Sequence, residues 1–273
     1  MLTTSETTSD FPACASCTLR DAPLCDGTRR NGQTMLGRIS RRRKADEGET
    51  LQAEGDAPSI VGFVLAGVLR LVKTIPDGRQ QIVDLGYPGE FFGRAAGGIS
   101  DCAVEAATDA ELCVIDRRAF ESLMLQYPEL EHRMLAIAFD ELAIARARGL
   151  ILGCLTTQER IASFLMIALR RRERVLAGVA KPAHKRMAVL QITRHDLARY
   201  LSTSVETISR TLHLFAREGV IRLVDHDHFE ILDCEALLDL SGLAADDLAV
   251  FSPPGLARKA LLAPRPCAES AKP

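Results

Sequence analysis

No apolar run in this 273-residue chain approaches the ~20 residues that a membrane helix needs, so no segment is expected to cross a bilayer. The opening stretch, MLTTSETTSDFPACASC, has neither a basic start nor an apolar core, so a secretory signal is not expected and the chain reads as cytoplasmic. Net charge is nearly absent: 34 Lys+Arg against 36 Asp+Glu leave −2, a balance that taken alone speaks against nucleic acid. Paired carboxylates, a nucleophile triad and a phosphate-binding loop are also missing, so an enzyme is not expected. What is present is ordinary for a folded protein. With 47% hydrophobic and 26% charged residues the chain is neither disordered nor collagen-like, and its length suggests about two domains. Eight cysteines in a reducing compartment argue for metal or redox chemistry over a disulfide framework.

The chain divides into segments. Residues 1–35 are polar and turn-rich and carry Cys14, Cys17 and Cys25. Residues 36–125 read as β. Short apolar runs at 60–65 and 68–72 flank Gly67, a third at 82–85 follows Pro76-Asp77-Gly78, and further runs lie at 103–107 and 112–115. Such closely spaced short strands suggest a small barrel or jelly roll, with residues 94–99 as a loop. From Pro128 the period becomes helical, and a helix is assigned to 126–153. Leu135, Ala138, Leu142, Ala145, Gly149 and Leu152 recur at heptad spacing as a seam that can pack on its own barrel or on a second chain. Its length and small residues favour a homodimer. Thr156 and Glu159 have capping-box spacing for the next helix, and a linker rich in Gly, Pro and Ala follows around 178–183. Residues 246–273 read as a mobile tail.

Residues 190–232, within a domain assigned to 154–245, carry the most legible pattern. Thr193 and Asp196 open a short helix, Ser202-Thr203-Ser204 interrupts it, and Ser204 is placed to cap a second helix that Gly219 ends. On that second helix Val205, Ile208, Leu212 and Phe215 share one face, and Glu206, Ser209, Arg210 and His213 share the other. Two apolar runs around Asp225-His226-Asp227 complete a winged helix-turn-helix. An α-helix fits the major groove of DNA, where Arg210 can donate a fork to guanine and Glu206 can accept from cytosine, with Ser209 small enough for close approach. Between residues 181 and 225 eight basic residues oppose four acids, a local charge of +4 that the chain average conceals.

The run Val205-Glu206-Thr207-Ile208-Ser209-Arg210 resembles the recognition helix of the Crp/Fnr family of bacterial transcription regulators, and its Glu-x-x-Ser-Arg form resembles the Fnr branch. The resemblance implies an α+β chain: an N-terminal β-roll, a long dimerisation helix and a C-terminal winged helix-turn-helix. It implies that Glu206, Ser209 and Arg210 read TTGAT-type half-sites of an inverted repeat about one helical turn apart, and that RNA polymerase is a partner.

Cys14-x2-Cys17-x7-Cys25 brings three thiolates together in a segment whose Pro12, Pro23 and Gly27 suit a wrapping loop. Fe–S clusters are commonly held by four cysteines, and Cys102 and Cys113 are the candidates for a distant fourth. The segment Glu111-Leu112-Cys113-Val114-Ile115 resembles the strand carrying that ligand in Fnr-type oxygen sensors, which implies a [4Fe-4S] cluster on Cys14, Cys17, Cys25 and Cys113. Zinc is the alternative metal and a Cys14–Cys17 thiol switch the alternative chemistry. Cys154, Cys234 and Cys267 have no cysteine or histidine at ligand spacing. A cyclic nucleotide is argued against: Gly89-Glu90 is present, but the Arg-Ser pair that would cradle the phosphate is not. The uncharged seam, with Ala145 where the Fnr pattern suggests an acid, implies that the cluster-free protein retains more dimer than a typical Fnr.

Overall fold

Short β-branched runs broken by glycine turns fold as strands because the glycines accept backbone angles that other residues resist. Gly67 shows the point: its φ is 80°, and a β-carbon there would lie 2.3 Å from the carbonyl oxygen of Asp109. The computed structural model describes residues 23–26, 29–30, 33–177, 187–225 and 228–251. The first elements are α1 (Pro23–Asp26), β1 (Arg29–Arg30), β2 (Gln33–Thr34), α2 (Met35–Ile39), β3 (Ser40–Ala45), β4 (Thr50–Gln52), β5 (Ile60–Ala66) and β6 (Leu69–Thr74). They continue with β7 (Gln80–Gly86), β8 (Phe91–Phe92), β9 (Ala103–Ala106), β10 (Ala110–Asp116) and α3 (Arg117–Gln126).

Two four-stranded sheets, ordered β3-β10-β5-β8 and β4-β9-β6-β7, make the roll expected from the strand spacing. Val64, Phe92, Leu112 and Val114 from the first sheet and Leu69, Val104 and Ala106 from the second form one buried cluster. Burying each large member stabilises the roll by about 1.5–3 kcal/mol before entropy is counted. Two elements depart from the sequence expectation. Residues 40–45 form a full edge strand although four of the six are Arg or Lys; β3 pairs with β10 from Ser40 to Ala45, and its charges keep that edge from recruiting other strands. Residues 117–126, read as the end of the β region, are a helix. The Asp116 carboxylate accepts from the Ala119 amide at 2.9 Å, and Phe120, Leu123 and Met124 fall on one buried face.

The second set of elements is α4 (Pro128–Cys154), α5 (Thr157–Ala177), β11 (Met187–Val189), α6 (Arg194–Tyr200), α7 (Val205–Arg217), β12 (Ile221–Leu223), β13 (His228–Ile231), α8 (Cys234–Ser241) and a 3-10 turn, Asp247–Phe251. The chain from Ile137 onward, together with Thr74–Asp84, forms one compact unit; the rest of the chain before Ile137 forms the other. The capping box is reciprocal: the Thr156 amide donates to Glu159 Oε2 at 2.6 Å and the Glu159 amide to Thr156 Oγ1 at 3.4 Å. Residues 247–251, expected in a mobile tail, are instead packed, with Phe251 against Ile144 and Ile151 of α4. The linker at 178–183 and the chain after Phe251 lie outside the described residues.

Candidate functional site

The helix-turn-helix is built as its sequence suggests. Thr193 Oγ1 accepts from the Asp196 amide at 3.1 Å to start α6, and Ser204 Oγ accepts from the Thr207 amide at 3.1 Å to start α7. Ile208, Leu212 and Phe215 are fully buried and anchor one face of α7. Val205, expected on the same face, is exposed, because the first helical residue precedes the turn where that face meets the core. The wing is a three-stranded sheet, β11-β13-β12, one strand more than the expected hairpin.

On the outward face of α7, Glu206, Arg210 and His213 are exposed and Ser209 is half-buried. Arg210 donates to the Glu206 carboxylate one helical turn before it, with the two side chains 78% and 71% exposed. An exposed pair of this kind is worth about 0.3–0.5 kcal/mol, so both groups can be released to base edges at little cost. Arg194 Nη1 donates to Ser209 Oγ at 3.2 Å and so adds a second guanidinium to this face. In the sequence Arg194 stands out only as part of the local positive charge; its place at the start of α6, capped by Thr193, is what brings it there.

Among the described residues, the seam on α4 is largely uncovered. Leu135, Ala138, Leu142, Ala145 and Gly149 are exposed and Leu152 is half-buried, whereas Ile144, Arg148 and Ile151 on the opposite face are buried. Phe139, 62% exposed, and Leu150 lie outside the heptad positions and widen the apolar stripe. A β-carbon on Gly149 would meet nothing within 4 Å, so the backbone there is open to close approach.

Cys113 sits in β10 between Leu112 and Val114, whose side chains point into the roll core. Strand alternation therefore turns Cys113 to the outer face of its sheet, where it is half-buried opposite Phe63 of β5 and Arg42 of β3. Phe63, Phe91 and Phe120 line that same face, with ring centroids 5.4 and 5.7 Å apart in sequence. Cys102 is buried beside the other sheet, just before β9, where its carbonyl accepts from Ser100 Oγ at 2.8 Å. Cys25 is half-buried in α1, next to the fully buried Leu24. Cys14 and Cys17 lie outside the described residues, and among the described residues no group of three or more His, Cys, Asp or Glu side chains could hold a metal ion.

The region where a cyclic phosphate would be cradled has its own internal bonding. The Tyr87 amide donates to Glu90 Oε2 at 2.9 Å, and Arg94 Nε donates to the carbonyls of Gly97 and Ala96 at 2.5 and 3.3 Å. The guanidinium folds back over Gly98, where a β-carbon would lie 3.0 Å from Nε. No helix among the described residues is long and apolar enough to cross a membrane.

Comparison with known proteins agrees with this architecture. Residues 42–127 match the family described as the cyclic nucleotide-binding domain, and residues 159–240 match the Crp-like helix-turn-helix domain. The chain is 32% identical over 246 residues to the transcriptional activator protein FnrL of Cereibacter sphaeroides, covering 90% of this chain and 98% of that protein. It is 33% identical over 220 residues to the nitrogen fixation regulation protein FixK of Bradyrhizobium diazoefficiens, covering 81% and 90%. The solved structure of FixK2 from Bradyrhizobium japonicum superposes with a TM-score of 0.67 at 27% identity, over 76% of this chain and all of that one. With a β-roll, a long helix and a winged helix-turn-helix in that order, this chain belongs to the Crp/Fnr family of DNA-binding transcription regulators.

Proposed function

We propose that this chain is an Fnr-type regulator that works as a homodimer and reads an inverted repeat of TTGAT-type half-sites. The observation that carries the reading is the outward face of α7, where Glu206, Ser209 and Arg210 stand together near the helix start. A capped helix with acceptor, small residue and fork donor in its first two turns suits major-groove reading. The uncovered apolar stripe on α4 supports the homodimer: burying Leu135, Phe139 and Leu142 against a second copy removes apolar surface from water on both chains. A dimer with two recognition helices matches a two-fold inverted repeat. Contact with RNA polymerase follows from the activator role of relatives such as FnrL.

The second part of the proposal is an oxygen-labile [4Fe-4S] cluster on Cys14, Cys17, Cys25 and Cys113. Cys113 suits ligation because strand alternation turns its thiol away from the roll core, at a half-buried position. Cys102 is buried beside the other sheet and suits it less. When bound, the cluster supplies four iron–thiolate bonds that oxygen can break. The chain's own part is to order the segment before α1 and tie it to β10. That tie shifts the equilibrium toward the dimer only if it forms better in the dimer-competent state. Purification without oxygen, followed by an absorption spectrum and iron and sulfide assays, tests this. Brown protein with about four iron atoms per chain is expected. A colourless, iron-free protein after anaerobic reconstitution overturns the cluster, and stoichiometric zinc instead installs a structural metal in its place.

A further inference from the structure

The guanidinium of Arg148 gathers groups from two distant parts of the sequence, residues 83–84 and Tyr200. Arg148 lies on the buried face of α4 and is only 8% exposed. Its Nε donates to Tyr200 Oη at 2.9 Å, Nη2 donates to Asp84 Oδ1 at 2.6 Å, and Nη1 donates to the Val83 carbonyl. The guanidinium carbon also lies 5.0 Å from the centroid of the Tyr200 ring, and Phe164 of α5 meets that ring edge-on at 5.9 Å. Burial works against the charge of Arg148, yet Tyr200 and Asp84 hold its proton more firmly than on a free arginine. A buried cation with its fork fully engaged is costly to dislodge, so Asp84, Tyr200 and α4 are fixed relative to one another.

The start of β7, which follows β6 as a hairpin, reaches the helix-turn-helix at three more points. Gln81 Nε2 donates to the Tyr200 carbonyl at 3.3 Å, Ser202 Oγ donates to Gln81 Oε1 at 3.2 Å, and Arg199 Nη2 donates to Gln80 Oε1 at 2.7 Å. Ser202 stands in the turn that leads into α7, and among the described residues it is the one non-glycine residue with positive φ, at 53°. A left-handed serine persists only where its surroundings hold it there. Its hydroxyl is held by the hairpin, not by either helix of the motif. Thr74–Asp84 and the chain from Ile137 belong to the same compact unit.

We propose that residues 80–84 act as a clasp on the helix-turn-helix, with Arg148 and Tyr200 as positioning residues that fix the turn from which the recognition helix starts. The clasp touches residues 199–202 and leaves Glu206 and Arg210 exposed, so it sets the aim of α7 without covering its reading face. Residues 80–84 are the first five residues of β7, so a regular strand presents their side chains to the turn before α7. The inference rests on α7 being the DNA-reading helix.

Two measurements on the full-length protein test it. In the first, Gln81→Ala and Asp84→Asn are compared with wild type for binding a duplex carrying a TTGAT-type inverted repeat and a scrambled duplex of equal length. Each variant is expected to lose about tenfold in affinity for the repeat and to keep its affinity for the scrambled duplex, since phosphate contacts do not depend on the aim of α7. Unchanged affinity for the repeat, or equal loss on both duplexes, overturns the positioning role. The second is hydrogen exchange without DNA. The amides of 199–204 should exchange about tenfold faster in Gln81→Ala, Asp84→Asn and Tyr200→Phe, with those of α5 unchanged. Wild-type exchange at 199–204 in all three overturns the clasp. If wild type does not distinguish the two duplexes, the DNA reading of α7 fails while exchange still judges the clasp.

Discussion

A β-carbon added to Gly62 would lie 2.0 Å from the carbonyl oxygen of Cys113. The two residues sit on neighbouring strands, β5 and β10, in an antiparallel ladder that pairs Cys113 with Phe63 and Val114 with Gly62. No side chain can occupy that space without parting the strands, because the obstacle is backbone. Gly62→Ala is therefore expected to destabilise the roll by about 1–3 kcal/mol and to displace the strand that carries Cys113. A urea-unfolding midpoint unchanged from wild type would show that the ladder yields more easily than this.

The proposed ligand set separates cleanly by substitution. Cys113→Ala is expected to abolish iron retention after anaerobic reconstitution, while Cys102→Ala retains it, because only Cys113 is turned out of the core on a half-buried face. Iron lost from Cys102→Ala and kept by Cys113→Ala would exchange their roles.

The proposed reading by Arg210 has a base-level signature. Arg210→Ala should lose discrimination at one guanine position of each half-site, by about 1–3 kcal/mol for a bidentate contact. The Glu206 carboxylate, now without its helical partner, stays exposed, so folding should be unaffected. Binding measured against a set of single-base operator variants decides this, and an unchanged preference refutes the contact.

Association through α4 is also measurable. The six seam residues carry no charge, so nothing along them repels a second copy. The cluster-free protein at micromolar concentration is expected to sediment as a dimer, and Leu142→Glu as a monomer, since the carboxylate would be buried at the centre of the stripe. A monomeric wild type under those conditions would remove the argument from the uncharged seam.

The capping box of α5 predicts an acid-side effect. The Thr156 amide, and then its hydroxyl, hold the Glu159 carboxyl below the usual carboxylate range. A carboxyl lowered in the folded state contributes stability that is present above its unfolded value of about 4.5 and is lost as pH falls through the folded one. Glu159→Gln should therefore flatten the acid limb of the stability profile between pH 5 and 3, roughly, without altering stability changes above pH 7. Thr156→Ala should cost about 1 kcal/mol at neutral pH.

Much of this chain was legible because its signals are local. The caps at Thr156, Thr193 and Ser204 depend on residues three apart, and each forms the bond its spacing implies. The buried face of α7 and the heptad stripe of α4 are periodicities within one helix. β3 and the closing 3-10 turn were not legible for the opposite reason. β3 shows no apolar alternation, and only its pairing with β10, some seventy residues later, makes it a strand. The 3-10 turn at Asp247–Phe251 looks like a polar tail until Phe251 meets Ile144 and Ile151. The surface placement of Arg194, Phe139 and Leu150 was equally hidden, since which residue reaches a surface depends on where neighbouring elements end.

Sequence by itself determined the class of the molecule: a roll of short strands, a long seam-bearing helix and a capped helix that carries Glu206, Ser209 and Arg210. Those follow from backbone preferences and side-chain spacing, which act over a few residues. Tertiary structure alone decided that the seam faces outward, that Cys113 leaves the core while Cys102 lies beside the other sheet, and that Arg148 joins Asp84 to Tyr200 across 116 residues of chain. Burial and the meeting of distant charges are set by the packing of whole elements, and no short stretch of sequence carries that information.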